Sequence, residues 1–99
     1  MAADKPTLVL IHGLFDDPAM WQPQVRHLAP YADVMTPEVL EQETVEQAAR
    51  DVLASVDGPI AVAGFSMGGY VLFEMLRQAP ERISRIALID TSARADTPE

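Results

Sequence analysis

Cysteine is absent from the 99 residues. Its absence removes disulfides, thiolate nucleophiles and cysteine-held metal in one step. Positive charge is scarce, with 7 Lys and Arg against 15 Asp and Glu, a net charge of −8. Nucleic acid and anionic membrane surfaces both select basic patches, so neither is an expected partner. No apolar run approaches the roughly 20 residues a membrane helix needs. The opening stretch, Met1 to Pro6, has no apolar core of signal-peptide type, so the expected location is the cytoplasm. What is present is ordinary for a folded domain: 48% of the residues are apolar, enough to bury a core in a single unit.

The apolar residues come in alternating short runs and periodic stretches. Thr7 to Ile11 is β-branched-rich and apolar at nearly every position, as strands buried on both faces of a parallel sheet are. Asp17-Pro18 reads as an N-cap followed by proline in the first turn, opening a helix through Met20, Trp21, Val25 and Leu28 that stops near Pro30. Pro23 falls inside its first turns and threatens to break it. Ala32 to Met35 is a weak second strand. Thr44 with Gln47 has the spacing of a capping box. The helix behind it places Val45, Ala48, Ala49, Val52, Leu53 and Val56 on one face, and Gly58-Pro59 ends it. Ile60 to Ala63 is a third strand, Met67 to Gln78 a third helix apolar nearly all round, and Arg85 to Ile89 a fourth strand. The tail from Ala93 carries no signal of either kind. Strand and helix alternating in this way predict an α/β fold, a parallel sheet with helices on both faces, of about four strands and three helices.

Between the third strand and the third helix stands Gly64-Phe65-Ser66-Met67-Gly68, a G-x-S-x-G pentapeptide followed by Gly69. On its own the pattern is short enough to recur by chance. A strand before it and a helix behind it are the context a nucleophile elbow requires. The serine there occupies a tight, strained turn that leaves no room for side chains two residues to either side. The helix behind it aims N–H groups and a positive dipole end at a developing oxyanion. A serine at a strand–helix junction can also be a plain N-cap. A capping serine would have no need of glycine on both flanks. The other glycine turn, His12-Gly13-Leu14-Phe15, likewise follows a buried strand, at the sheet edge where α/β folds place ligands.

Leu8 to Gly13, Trp21, the Gly64 to Gly69 elbow and Leu88 to Ser92 together resemble the α/β-hydrolase superfamily, nearest to its small esterase, lactonase and carbon–carbon bond hydrolase branch. The resemblance spans roughly residues 7 to 92. It implies Ser66 as nucleophile of an acyl-serine mechanism acting on a small carboxylic ester, thioester or lactone. It implies the backbone N–H groups of Leu14 and Met67 as the oxyanion hole, and leaves His12 a structural turn residue. Phe15 and Phe65 are candidates for the substrate wall. Asp90, at the end of the fourth strand, is a minor candidate for the triad acid beside a simpler reading as a loop cap. No cofactor or metal is implied. Family topology orders the strands two, one, three, four and leaves the fourth an apolar edge.

Family members order their triad as serine, acid, histidine along the chain. Here no histidine follows Ser66; His12 and His27 both precede it. Without a base a serine is a poor nucleophile at neutral pH. The 99 residues are therefore expected to be the N-terminal portion of a single hydrolase domain, incomplete and inactive alone. Base and acid would come from a missing C-terminal segment or a partner polypeptide, and complementation or self-association would cover the fourth strand. The rival expectation is a non-catalytic fragment or binding module that keeps the elbow without a triad. A dinucleotide-binding unit shares the strand–turn–helix plan, but the turn lacks G-x-G-x-x-G.

Overall fold

Four of the apolar runs become strands and their periodic neighbours become helices. The structure is a computed structural model that describes residues 5–13, 16–39 and 42–90. The strands are β1 (Thr7–Ile11), β2 (Asp33–Met35), β3 (Ile60–Phe65) and β4 (Ile83–Ile89), and the helices α1 (Gln22–Leu28), α2 (Val45–Ser55) and α3 (Met67–Gln78). Every pairing is parallel and the spatial order is β2-β1-β3-β4. The topology expected from the resemblance is the one observed.

The two faces of β1 explain why its sequence does not alternate. Val9 and Ile11 pack with Ile60, Val62, the α2 residues Ala49 and Val52, and the α3 residues Val71, Leu72 and Met75. Leu10 points the other way, with Ala63 and Trp21. α2 and α3 thus cover one face, and the segment leading into α1 covers the other. Each fully buried aliphatic side chain of this kind contributes roughly 1.5–3 kcal/mol, so the larger cluster dominates the stability. The indole Nε1 of Trp21 is buried without an acceptor among the described residues.

Boundaries depart from the sequence expectation where proline and capping chemistry intervene. Asp17 does cap, its carboxylate accepting from Ala19 N at 2.7 Å, but the element splits. Pro18–Trp21 is a 3₁₀ turn, and α1 restarts at Gln22 with Pro23 in its first turn. Pro23 has no N–H to give to a continuous helix, so the break falls where its ring can be accommodated. Only half of the capping box forms: Thr44 Oγ1 accepts from Gln47 N at 3.0 Å. The Gln47 amide instead donates to Asp51 Oδ1 at 2.7 Å, one turn along α2. A second 3₁₀ turn, Pro80–Arg82, leads into β4, which begins two residues earlier than expected at Ile83. α3 is buried at Val71, Leu72 and Met75, while Tyr70, Phe73 and Leu76 are only half-buried, so it is covered less completely than its apolar sequence implies.

β4 is the exposed member of the sheet. Its residues alternate faces in register with β3, Ile86 opposite Val62, Leu88 opposite Gly64 and Ile89 opposite Phe65. Ile86 remains 46% exposed, Leu88 38% and Ile89 40%. Both faces and the outer edge are therefore uncovered among the described residues. Edges of this length and apolarity invite pairing with another strand. No helix among the described residues is long and apolar enough to cross a membrane.

Arg82 ties the start of β4 to the end of α2, a link with no local signal in the sequence. Its guanidinium donates to the carbonyls of Leu53 (2.8 Å), Val56 (2.6 Å) and Gly58 (3.2 Å). These are the last-turn and post-helix oxygens that a helix leaves without partners, and a cation there also meets the negative end of the helix dipole. Arg82→Met should lower unfolding stability by roughly 2 kcal/mol in chemical denaturation. Arg82→Lys should recover only part of this, because one ammonium cannot span three carbonyls. An unchanged midpoint for Arg82→Met would show that the link carries no stability.

Candidate active site

The sheet ends on the side where β1, β3 and β4 deliver Gly13, Ser66 and Asp90. Ser66 sits between β3 and α3 with φ 54° and ψ −117°, a left-handed conformation that costs a non-glycine residue of order 1–3 kcal/mol. Its neighbours explain why it is held there. A Cβ on Gly64 would lie 2.6 Å from the Gly68 carbonyl oxygen, and a Cβ on Gly68 would lie 2.4 Å from that of Ile11. The first turn of α3 therefore rests directly on the backbone of β3 and β1. The chain can reach that position only by reversing sharply at Ser66. The two glycines of the pentapeptide are places where backbone touches backbone.

The Ser66 hydroxyl makes no capping bond to α3, in contrast to Thr44 and Asp17, which cap the helical segments they precede. Ser66 is also exposed, at the open end of the sheet. Its backbone N–H donates to the Ile89 carbonyl at 3.0 Å, and its own carbonyl accepts from Gly69 N at 2.9 Å. Met67 is the first residue of α3, and the leading N–H groups of a helix have no partner within it. Its side chain packs toward the main core and borders a cavity of about 150 Å³ with Val39, Val45, Ala48 and Val71. A larger hollow of about 630 Å³ lies at the opposite, strand-starting end near Thr7 and Asp33. The larger hollow thus lies away from the elbow.

Gly13 brings the first glycine turn against the elbow. A Cβ there would lie 3.1 Å from Phe65 Cδ2 and 3.2 Å from the Phe65 carbonyl oxygen. Phe65 is half-buried and packs with the Leu10–Trp21–Ala63 cluster. Leu14 and Phe15, the expected donor and wall residue, lie outside the described residues; Asp16 N donates to Gly13 O at 3.2 Å. Asp90 follows Ile89 on the neighbouring strand with φ 50°, so it shares the sheet edge with Ser66.

His12 is wholly buried and bonded on both ring nitrogens. Val39 N donates to its Nε2 at 3.0 Å, and Nδ1 lies 2.9 Å from the Gly13 carbonyl oxygen. A backbone N–H only donates, so Nε2 is the bare nitrogen and Nδ1 carries the proton it gives to Gly13. The ring holds the turn after β1 to the loop after β2 and has no lone pair left for catalysis. The second bond, across 27 residues to Val39, has no signal in the sequence. His27 is exposed on α1. No group of three or more His, Asp or Glu side chains among the described residues could hold a metal ion. On α3, away from the site, the Arg77 hydrogen bond holds the Glu74 carboxyl below its ordinary value.

Residues 8–98 match the model of the alpha/beta hydrolase family. The chain is 29% identical over 96 residues to a pimeloyl-[acyl-carrier protein] methyl ester esterase of Aromatoleum aromaticum, a match covering 90% of this chain and 38% of that one. Among solved structures it is similar to a thermophilic esterase from Thermogutta terrifontis, with 30% identity and a TM-score of 0.86 over 98% of this chain and 41% of the other. It is also similar to the enol-lactonase of Burkholderia xenovorans LB400, with 30% identity and a TM-score of 0.83 over 93% and 40%. The chain thus spans about two fifths of the length of these relatives.

Packing at the elbow makes a specific demand. Gly68→Ala should destabilise by roughly 2–3 kcal/mol, because its Cβ meets rigid backbone that cannot yield. Gly58→Ala, at φ 68° but with nothing within 4 Å of the added carbon, should cost only about 1 kcal/mol of backbone strain. Urea denaturation of the two variants side by side measures the difference. Equal losses would mean that the close approach of α3 to β1 is not what excludes a side chain at position 68.

Proposed function

The chain belongs to the alpha/beta hydrolase family, and on that footing we propose that it is the nucleophile-bearing portion of a serine hydrolase for a small carboxylic ester, thioester or lactone, working in the cytoplasm without cofactor or metal. The observation that carries the reading is Ser66, held at φ 54° and ψ −117°, exposed, and with a hydroxyl not spent on capping. Strain at a non-glycine residue persists where surrounding structure over-determines it, and such residues cluster at functional sites.

In the proposed reaction a base takes the Ser66 proton as Oγ attacks the carbonyl carbon. The tetrahedral oxyanion is met by the Met67 and Leu14 N–H groups, each donor of this type being worth roughly 3–4 kcal/mol in the transition state. The alcohol or thiol leaves with a proton from the base, and water releases the acid from the acyl-serine by the same steps reversed. Phe65, and Phe15 beside the same turn, would wall the substrate. The base is assigned to polypeptide outside these residues, since no histidine follows Ser66 and both nitrogens of His12 are engaged. The acid is assigned there too, with Asp90 kept as the minor candidate. The exposed β4 supports that assignment: a complementary C-terminal polypeptide would add strands at its edge and cover Ile86, Leu88 and Ile89, and self-association is the substitute in its absence.

A non-catalytic binding module is the second reading, favoured by the same missing histidine. A fluorophosphonate probe separates the two. The 99-residue chain alone should label negligibly; joined to a complementary segment that carries a histidine, it should label on Ser66, and Ser66→Ala should abolish the signal. A folded, complemented protein that resists every such probe would leave the binding-module reading in possession.

A further inference from the structure

Ser66 is held on two sides by bonds of unequal security. On one side Gly69 N donates to its carbonyl at 2.9 Å. That bond lies in the first turn of α3, which packs on β1 and β3 with no room for a Cβ. On the other side the Ser66 N–H donates to the Ile89 carbonyl at 3.0 Å. Ile89 is the last residue of β4 and stands opposite Phe65, the last of β3. The serine bond is therefore the terminal rung of the β3–β4 ladder, and it lasts only while the strands stay paired at that end. The two ends of β4 differ. Its start follows Arg82, which is bonded to the Leu53, Val56 and Gly58 carbonyls. At its finish Leu88 and Ile89 are exposed, and no side chain among the described residues ties them down. Exposed strand ends open at little free-energy cost, while enclosed core elements open only with the whole domain. Ser66 thus has its carbonyl on the secure part of the fold and its N–H on the part that opens first.

We propose that Ser66 is coupled to the cover of β4, with Ile89 as the positioning residue between them. A polypeptide paired along the outer edge of β4 holds its last residues against β3. Through the Ile89 carbonyl it also holds the Ser66 N–H. In the uncovered chain that bond opens with the strand end, and the serine keeps only its α3 restraint. A nucleophile displaced by a fraction of an ångström loses its alignment with donors and substrate. Completing the sheet and aligning the serine are then one event. The coupling is reciprocal, so whatever fixes Ser66 also favours the cover. The inference rests on Ser66 being the nucleophile and β4 the joining edge, and its test does not depend on activity.

Amide hydrogen exchange of the 99-residue chain in rising, sub-denaturing urea sorts amides by the unit they open with. Ser66 should share the low opening free energy and weak urea dependence of the β4 amides paired with β3. Leu72 and Met75, buried on α3, should open only globally, with a steep dependence. Ala87→Gly, at an exposed position within β4, should speed Ser66 exchange roughly fivefold. If glycine unfolds the chain, Ala87→Thr, which favours the strand, should slow Ser66 instead. Joined to the complementary segment, Ser66 should move from the β4 class to the global class. A Ser66 that exchanges with Leu72 in the uncovered chain would overturn the coupling. So would a Ser66 that ignores the substitution at Ala87, or one that stays in the fast class once the segment is joined. Fluorophosphonate labelling of the complemented protein separately decides the catalytic reading: no labelling, with the exchange pattern as expected, removes the nucleophile and leaves the turn coupled to β4.

Discussion

The contact on which the structure depends is between backbones: the first turn of α3 lies on the carbonyl ends of β1 and β3. An added methyl carbon at Gly68 would come within 2.4 Å of the Ile11 oxygen, and one at Gly64 within 2.6 Å of the Gly68 oxygen. Non-bonded carbon and oxygen cannot approach so closely, so the arrangement exists only because both residues lack side chains. Once α3 is placed there, the geometry of Ser66 is settled. The chain must leave β3 and enter α3 within one residue, and a positive φ is the conformation that makes the turn. The strain is sustained by the core behind it, where Leu72 and Met75 of α3 are buried against β1 and β3. A few kcal/mol of local cost is small against that burial.

Main-chain bonds finish the site. His12 spends both ring nitrogens on the loops after β1 and β2, and Ile89 spends its carbonyl on the serine. Each is a buried or strand-end group with a fixed partner, and each removes a freedom that the open end of a small sheet would otherwise have. Arg82 does the same at the far end, gathering three carbonyls that α2 leaves behind. The outcome is a serine held in a sharp turn beside a strand, β4, that is bare on its edge and faces among the described residues.

Much of this was legible in the residues, for identifiable reasons. Unbroken apolar runs such as Leu8 to Ile11 announce parallel strands, since nothing else buries both faces of so short a segment. α3 was readable to its ends because Ser66 and Pro80 punctuate it. Capping atoms were partly readable: Asp17 and Thr44 cap as their spacing implies, but Gln47 preferred Asp51, a choice made by side chains one turn away. What stayed hidden was contact across the fold. Nothing near Arg82 foretells Leu53, and nothing near His12 foretells Val39, because those pairings exist only after the sheet has formed. The Ser66–Ile89 bond is of the same kind. The turn at the elbow was visible in a pentapeptide; the bond to its backbone required the neighbouring strand.

The conformation of Ser66 is the feature on which the elbow depends, and its backbone φ in solution is the most direct measurement. Three-bond couplings and the intraresidue amide-to-Hα nuclear Overhauser effect of isotopically labelled protein determine its sign. A positive φ close to the 54° of the structure is expected, with a strong intraresidue effect. A negative φ, helical or extended, would mean that α3 does not press its glycines onto β1, and the elbow and the proposed nucleophile would fall together.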